Sequence, residues 1–223
     1  QILNSGKQVL THCCPNNEGF REWFKGTLKE MIDEFKPYGV FWDEPQFKPN
    51  DNFPEEWSCR CENCKEKYRS IYHEEMPDVL TDRVMEFRQN SLLDVLKDYL
   101  KFAKTCGIQE NVLCLMVWDR NPKADSFKLG WYGVMDWDPF IQIEDLDVFS
   151  TDPYWIHWNN YELFTANTRI AVERAHHFGK KCQTWTQAVW IPEGKEKEVK
   201  RTILESAEMG ADMLAVWSYR AEP

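Results

Sequence analysis

Gly39-Val40-Phe41-Trp42-Asp43-Glu44-Pro45 is the stretch on which the fold is decided. Pro37 and Gly39 stop the helical pattern before it, and a short β-branched and aromatic run follows. It ends on two acids and a proline. This is the profile of a buried parallel strand that delivers polar side chains at its C-terminal end. On either side the chain repeats the scheme. Apolar spacing predicts helices over about Gly19–Lys36, Glu62–Tyr72, Asp82–Thr105, Asn160–Phe178 and Lys195–Met209. Between and before them lie β-rich runs at Gln8–Cys13, Asn111–Trp118, Asp147–Thr151, Lys181–Thr186 and Asp212–Ser218.

Strands alternating with helices predict an α/β fold with a parallel sheet. An open doubly wound sheet is the structural alternative, but no Gly-rich phosphate loop follows any strand. The polar and aromatic residues gather at the strand ends, as they do where the loops of a (β/α)₈ TIM barrel build a site. The expectation is therefore a single (β/α)-barrel catalytic domain over residues 1–223. Six strands fall short of eight, so it is expected to lack N-terminal βα units.

The 223 residues carry a formal charge of −10, which disfavours nucleic acid as a partner. No apolar run reaches the roughly 20 residues of a membrane span, so no membrane partner is expected. The composition leaves oligomeric state open. Eleven tryptophans are the unusual quantity. Indoles fill cores, and they also stack on the C–H face of a pyranose.

The strand ends collect the candidates. They offer Asn16 after the first, Trp42, Asp43 and Glu44 after the second, and Trp118 after the third. They offer Asp152, Tyr154 and Trp155 after the fourth, Trp185 and Gln187 after the fifth, and Trp217 and Tyr219 after the sixth. Acids with an aromatic wall suit a carbohydrate substrate, since carboxylates transfer protons and stabilise an oxocarbenium-like transition state. Glu44 is the expected general acid/base, because an aromatic setting raises a carboxyl's pKa. Asp43 and Asp152 are the other candidate acids, and the remaining residues are candidate sugar contacts. Isolated histidines such as His12 and His157 read as hydrogen-bonded pocket or core residues.

Of eight cysteines, Cys106, Cys114 and Cys182 read as small core residues. Cys59-x-Cys61-x-x-Cys64 places three thiols close enough for one tetrahedral Zn²⁺, and Cys14 is the expected fourth ligand. Four thiolates close the site and make the zinc structural rather than catalytic. Metal-bound or reduced thiols suit a cytoplasmic setting.

Cys14-Pro15-Asn16-Asn17, the acidic strand end at Glu44 and Cys59-x-Cys61-x-x-Cys64 followed by Tyr68 resemble glycoside hydrolase family 42 and related barrel glycosidases. The resemblance covers about residues 8–70. It implies that the strands are three to eight of the barrel, that Cys14, Cys59, Cys61 and Cys64 hold zinc, and that Glu44 is the acid/base of a β-glycosidase. Two departures accompany it. Asp43-Glu44 stands where the family has Asn-Glu, and the strand expected to carry the nucleophile, Cys182-Gln183-Thr184-Trp185-Thr186-Gln187, has no carboxylate. An Asp-Glu pair is similar to the N-acetylhexosaminidase arrangement, in which the substrate's acetamido group is the nucleophile. A carbohydrate-binding barrel without turnover is the alternative.

Overall fold

The computed structural model describes residues 1–48, 56–116 and 132–218. It divides into two compact units, the described residues of 1–38, 45–108 and 132–140 and those of 39–44, 109–116 and 141–218.

The second unit holds the sheet. Strands β1 (Gly39–Asp43), β2 (Glu110–Cys114), β3 (Val148–Thr151), β4 (Lys181–Gln187) and β5 (Met213–Trp217) pair in chain order, all parallel. Helix α5 (Tyr161–His177) packs on β3 and β4, and α6 (Glu196–Glu208) on β4 and β5. The register sorts the strand residues into two faces. One carries the apolar Leu113, Phe149 and Cys182, all buried. The other carries Phe41, Asp43, Cys114, Trp185 and Trp217. That second face is concave. The Phe41 and Trp185 ring centroids lie 5.1 Å apart although two strands separate β1 from β4. In a flat sheet those strands are roughly 14 Å apart, so the sheet must curl to bring the rings together.

The first unit is helical: α1 (Glu18–Phe35), α2 (Glu62–Tyr72) and α3 (Asp82–Thr105). The Asn17 side chain caps α1 by accepting from Phe20 N at 2.8 Å, and Thr81 caps α3. Helices α1 and α3 pack together, with Phe24 stacked on Tyr99 at 4.7 Å. A single helical turn, α4, spans Asp138–Ile141. Among the described residues no helix is long and apolar enough to cross a membrane.

The expected eight-stranded TIM barrel, with this chain supplying strands three to eight, is not formed. The described residues give one open sheet of five parallel strands. Five strands spaced about 4.8 Å apart can curl, but they cannot close a cylinder around packed side chains. The missing member is Gln8–Cys13. It makes no parallel ladder: Gln8 bridges Ile2 antiparallel, Val9 N donates to the Gln1 carbonyl, and Leu10 is 83% exposed. Its backbone pairs locally with Gln1 and Ile2 and has no parallel neighbour to ladder with among the described residues.

Candidate functional site

A cavity of about 320 Å³ opens on the concave sheet face of the second unit. Phe41, Trp185 and Trp217 form its aromatic wall, while Asp43, Glu44 and Asp152 supply its carboxyls. Trp185 is the hinge of the wall, 5.1 Å from the Phe41 ring and 6.3 Å, edge-on, from that of Trp217. Its Nε1 is buried and has no partner among the described residues. A buried donor left this way is costly unless an acceptor arrives.

Local backbone sets where the acids stand. Glu44 N donates to the Cys114 carbonyl at 3.1 Å, which extends the β1 ladder by one bond. Glu44 itself has φ +39°, so the chain leaves the strand at that residue through a conformation that non-glycine residues rarely adopt. Such conformations cost about 1–3 kcal/mol and cluster at functional sites. Asp152 follows β3 directly, and its carbonyl accepts from Tyr154 N at 2.6 Å across Pro153.

Burial pushes Asp152 well above the carboxylate range, and the neighbouring Glu44 charge pushes it further. Both carboxyls line the same cavity, and neighbouring carboxyls in such a place do not both ionise readily. Burial also raises Asp43. Above these acids, desolvation first and the Asp152 charge second raise the Tyr154 phenol, so it stays a neutral hydrogen-bonding group. Cys114, fully buried and surrounded by the same three acids, stays a thiol.

Six sequence-predicted residues therefore meet in this cavity: Asp43, Glu44, Asp152, Tyr154, Trp185 and Trp217. Phe41 and Cys114 join them without having been singled out as site residues: two-residue alternation from Asp43 reaches Phe41, while Cys114 faces the cavity because the register sets it beside Asp43. Trp42 does not join. It lies on the opposite sheet face, buried, with Nε1 donating to Asn111 Oδ1 at 3.1 Å. Trp155 is core as well, donating to Thr202 Oγ1 and packed on Tyr161 and Phe164. Gln187 does not line the cavity: its side chain is buried in hydrogen bonds to Ile156, His157 and Val189. Trp118 and Tyr219 lie outside the described residues. No carboxylate stands on β4, and Glu193 is an exposed loop residue.

The second cluster belongs to the first unit. Cys14, Cys59, Cys61 and Cys64 put four sulfurs within 4.8 Å of one another. Cys14 Sγ is 3.4 Å from both Cys64 Sγ and Cys61 Sγ. A tetrahedral ion with metal–sulfur bonds near 2.3 Å needs sulfurs roughly 3.8 Å apart, so the donor set fits one soft metal ion. Cys61 is the N-cap of α2 and Cys64 lies in its first turn, where the helix dipole favours thiolates. Hydrogen bonds from Cys14 and then Cys61 and Cys64 hold Cys59 far below the thiol range, and those from Cys14 hold Cys61 at about 7. Cys14 and Cys64 are raised in turn, Cys59 being the strongest influence on the first and Cys14 on the second. Asn16, expected at the sugar, instead supports this cluster: its Nδ2 donates to Cys64 Sγ at 3.4 Å and to Ser91 Oγ at 3.0 Å.

Beside the thiols, Arg88 is fully buried. Its Nε donates to the Ser58 carbonyl, and its guanidinium sits 4.9 Å from the Phe47 ring and 5.7 Å from that of Trp57. Burial lowers it to about 9 against the pull of Cys64 and Cys59. An ionised group at such depth is tolerated only beside negative charge, which the thiolates supply.

No protein-family model matches the chain, and no curated protein does.

Proposed function

We propose that the protein is a glycosidase that cleaves a β-linked sugar in the concave cavity. The single observation that carries this reading is that Asp152 and Glu44 line one aromatic-walled pocket, where Asp152 is held protonated. Burial and the neighbouring Glu44 charge keep a proton on the Asp152 carboxyl, so the pair holds one proton between them. They therefore act as one acid/base unit. Glu44 delivers the shared proton to the glycosidic oxygen as the C–O bond breaks. The negative charge left on the pair offsets the oxocarbenium character of the sugar. Asp43, beside them, orients the attacking group, which is water or the substrate's own 2-acetamido oxygen. Phe41, Trp185 and Trp217 hold the sugar's apolar face, and Trp185 Nε1 donates to a ring hydroxyl.

The four-cysteine centre belongs to this reading as a structural zinc site. Zinc accepts four thiolates tetrahedrally and leaves no position open for substrate. Cys14, Cys59, Cys61 and Cys64 would hold it, and it would lock the Cys14 turn to the start of α2.

Activated aryl β-glycosides, with and without a 2-acetamido group, test the catalytic claim. The protein should hydrolyse at least one, and Glu44→Gln should lower turnover by about 10³-fold or more with folding unchanged. Turnover of the variant at the parent rate, or none by the parent, would remove the enzyme reading. In the latter case sugar binding without turnover becomes the better account, and the lack of a carboxylate on β4 favours it.

A further inference from the structure

The loops after β3 and β4 carry a second aromatic array that the acid/base pocket does not use. Trp158 is 56% exposed and Trp190 66% exposed, and both rings flank His157, with centroids 4.3 and 5.7 Å from the imidazole. Exposed indoles in loops are ordinarily adaptable. These two are fastened from beneath by Gln187, whose side chain is buried.

Gln187 Oε1 accepts from Ile156 N at 2.9 Å, and its Nε2 donates to the Val189 carbonyl and to His157 Nδ1, both at 2.8 Å. A backbone N–H can only donate and a carbonyl can only accept, so the orientation of the amide is forced. It follows that His157 Nδ1 accepts and that the ring proton sits on Nε2. Lys195 Nζ ties the same two loops again through Asn159 Oδ1 at 3.4 Å. Trp190 has φ +52°, an unusual conformation for a bulky residue that the surrounding bonds must impose.

We infer that Trp158, His157 and Trp190 form a second carbohydrate subsite that binds a neutral pyranose ring of an oligosaccharide beyond the one held in the acid pocket. Two indoles present apolar faces and His157 Nε2 presents a hydrogen-bond donor, which matches a ring with a C–H face and a hydroxyl rim. The area decides against a protein partner. Two indoles and an imidazole offer a few hundred Å², against the roughly 800 Å² a stable protein interface covers on each side. The position agrees with an extended sugar: the platform loops leave β3 and β4, whose ends supply Asp152 and Trp185 to the pocket. The inference rests on the carbohydrate reading of that pocket and is separable from its catalytic claim.

The test is binding to an array of immobilised neutral oligosaccharides by the parent protein, Trp158→Ala and Trp190→Ala. Both indoles are exposed, so their removal leaves no core cavity. The parent should bind neutral glycans of two or more residues, and each Trp variant should bind them about tenfold more weakly or less. Parent-like binding by both Trp variants, or no glycan bound by the parent, overturns the subsite. Platform-dependent binding in a protein that hydrolyses no glycoside would leave the subsite standing and sink only the catalytic reading.

Discussion

At the residue scale the chemistry concentrates in two buried titratable side chains, Asp152 and Arg88. Asp152 binds a proton in the folded protein at pH values where an unfolded aspartate has lost it. The folded state therefore holds more protons, and stability falls as pH rises from the ordinary aspartate range toward the raised value. Asp152→Asn should be more stable than the parent at neutral pH, by about 1 kcal/mol or more. The gain should shrink as pH is lowered toward 4, read from thermal melting across pH. An equal gain at all pH values would show that Asp152 is not desolvated as described. Turnover should fall on the alkaline side as the shared proton is lost. Arg88 is the complementary case. Arg88→Met removes the positive charge beside Cys59 and Cys64 and should weaken metal binding about tenfold or more, with Arg88→Lys recovering part of it. Competition with a chromophoric chelator measures this, and equal affinities in all three proteins would deny Arg88 a role.

At the element scale the helices were the most legible part. Sequence periodicity placed α2 and α3 at the bounds they have, and α1 within a residue, because caps and stops are local chemistry. Asn17→Ala tests one such cap: losing the bond to Phe20 N should cost about 1 kcal/mol in denaturant unfolding. An unchanged midpoint would mean that α1 is held by packing alone. Strands were less legible. Gly39–Asp43 and Lys181–Gln187 lie where expected, whereas Gln8–Cys13 has a comparable composition and is no strand. A ladder needs a partner, and a single segment's composition does not reveal whether one is available. Alternation sets Trp42 and Asp43 on opposite faces, but only the curl of the sheet shows which face is concave. That is why Trp42 was expected at the sugar and is found in the core.

At the scale of the whole molecule the cysteine centre links sequence-distant segments, so its occupancy should govern stability. Stripping metal with a strong chelator should lower the melting temperature by about 5–10 °C, and restoring zinc should recover it. A melting curve indifferent to both would sink the structural metal site. The thiol spacing and the strand-end acids were legible in the sequence, because ligand geometry and α/β alternation are written in short intervals. Cys14, the expected fourth ligand, follows Gln8–Cys13, which was expected to be a strand. It does reach Cys59, Cys61 and Cys64, but from a turn. Order along the chain thus determined the alternation of elements, the helix limits and which chemical groups were on offer. Only the tertiary structure decided that the described residues form a five-stranded sheet, that Asp152 and Glu44 line one cavity, and which tryptophans meet solvent, because curl, register and burial arise from contacts between residues far apart in sequence.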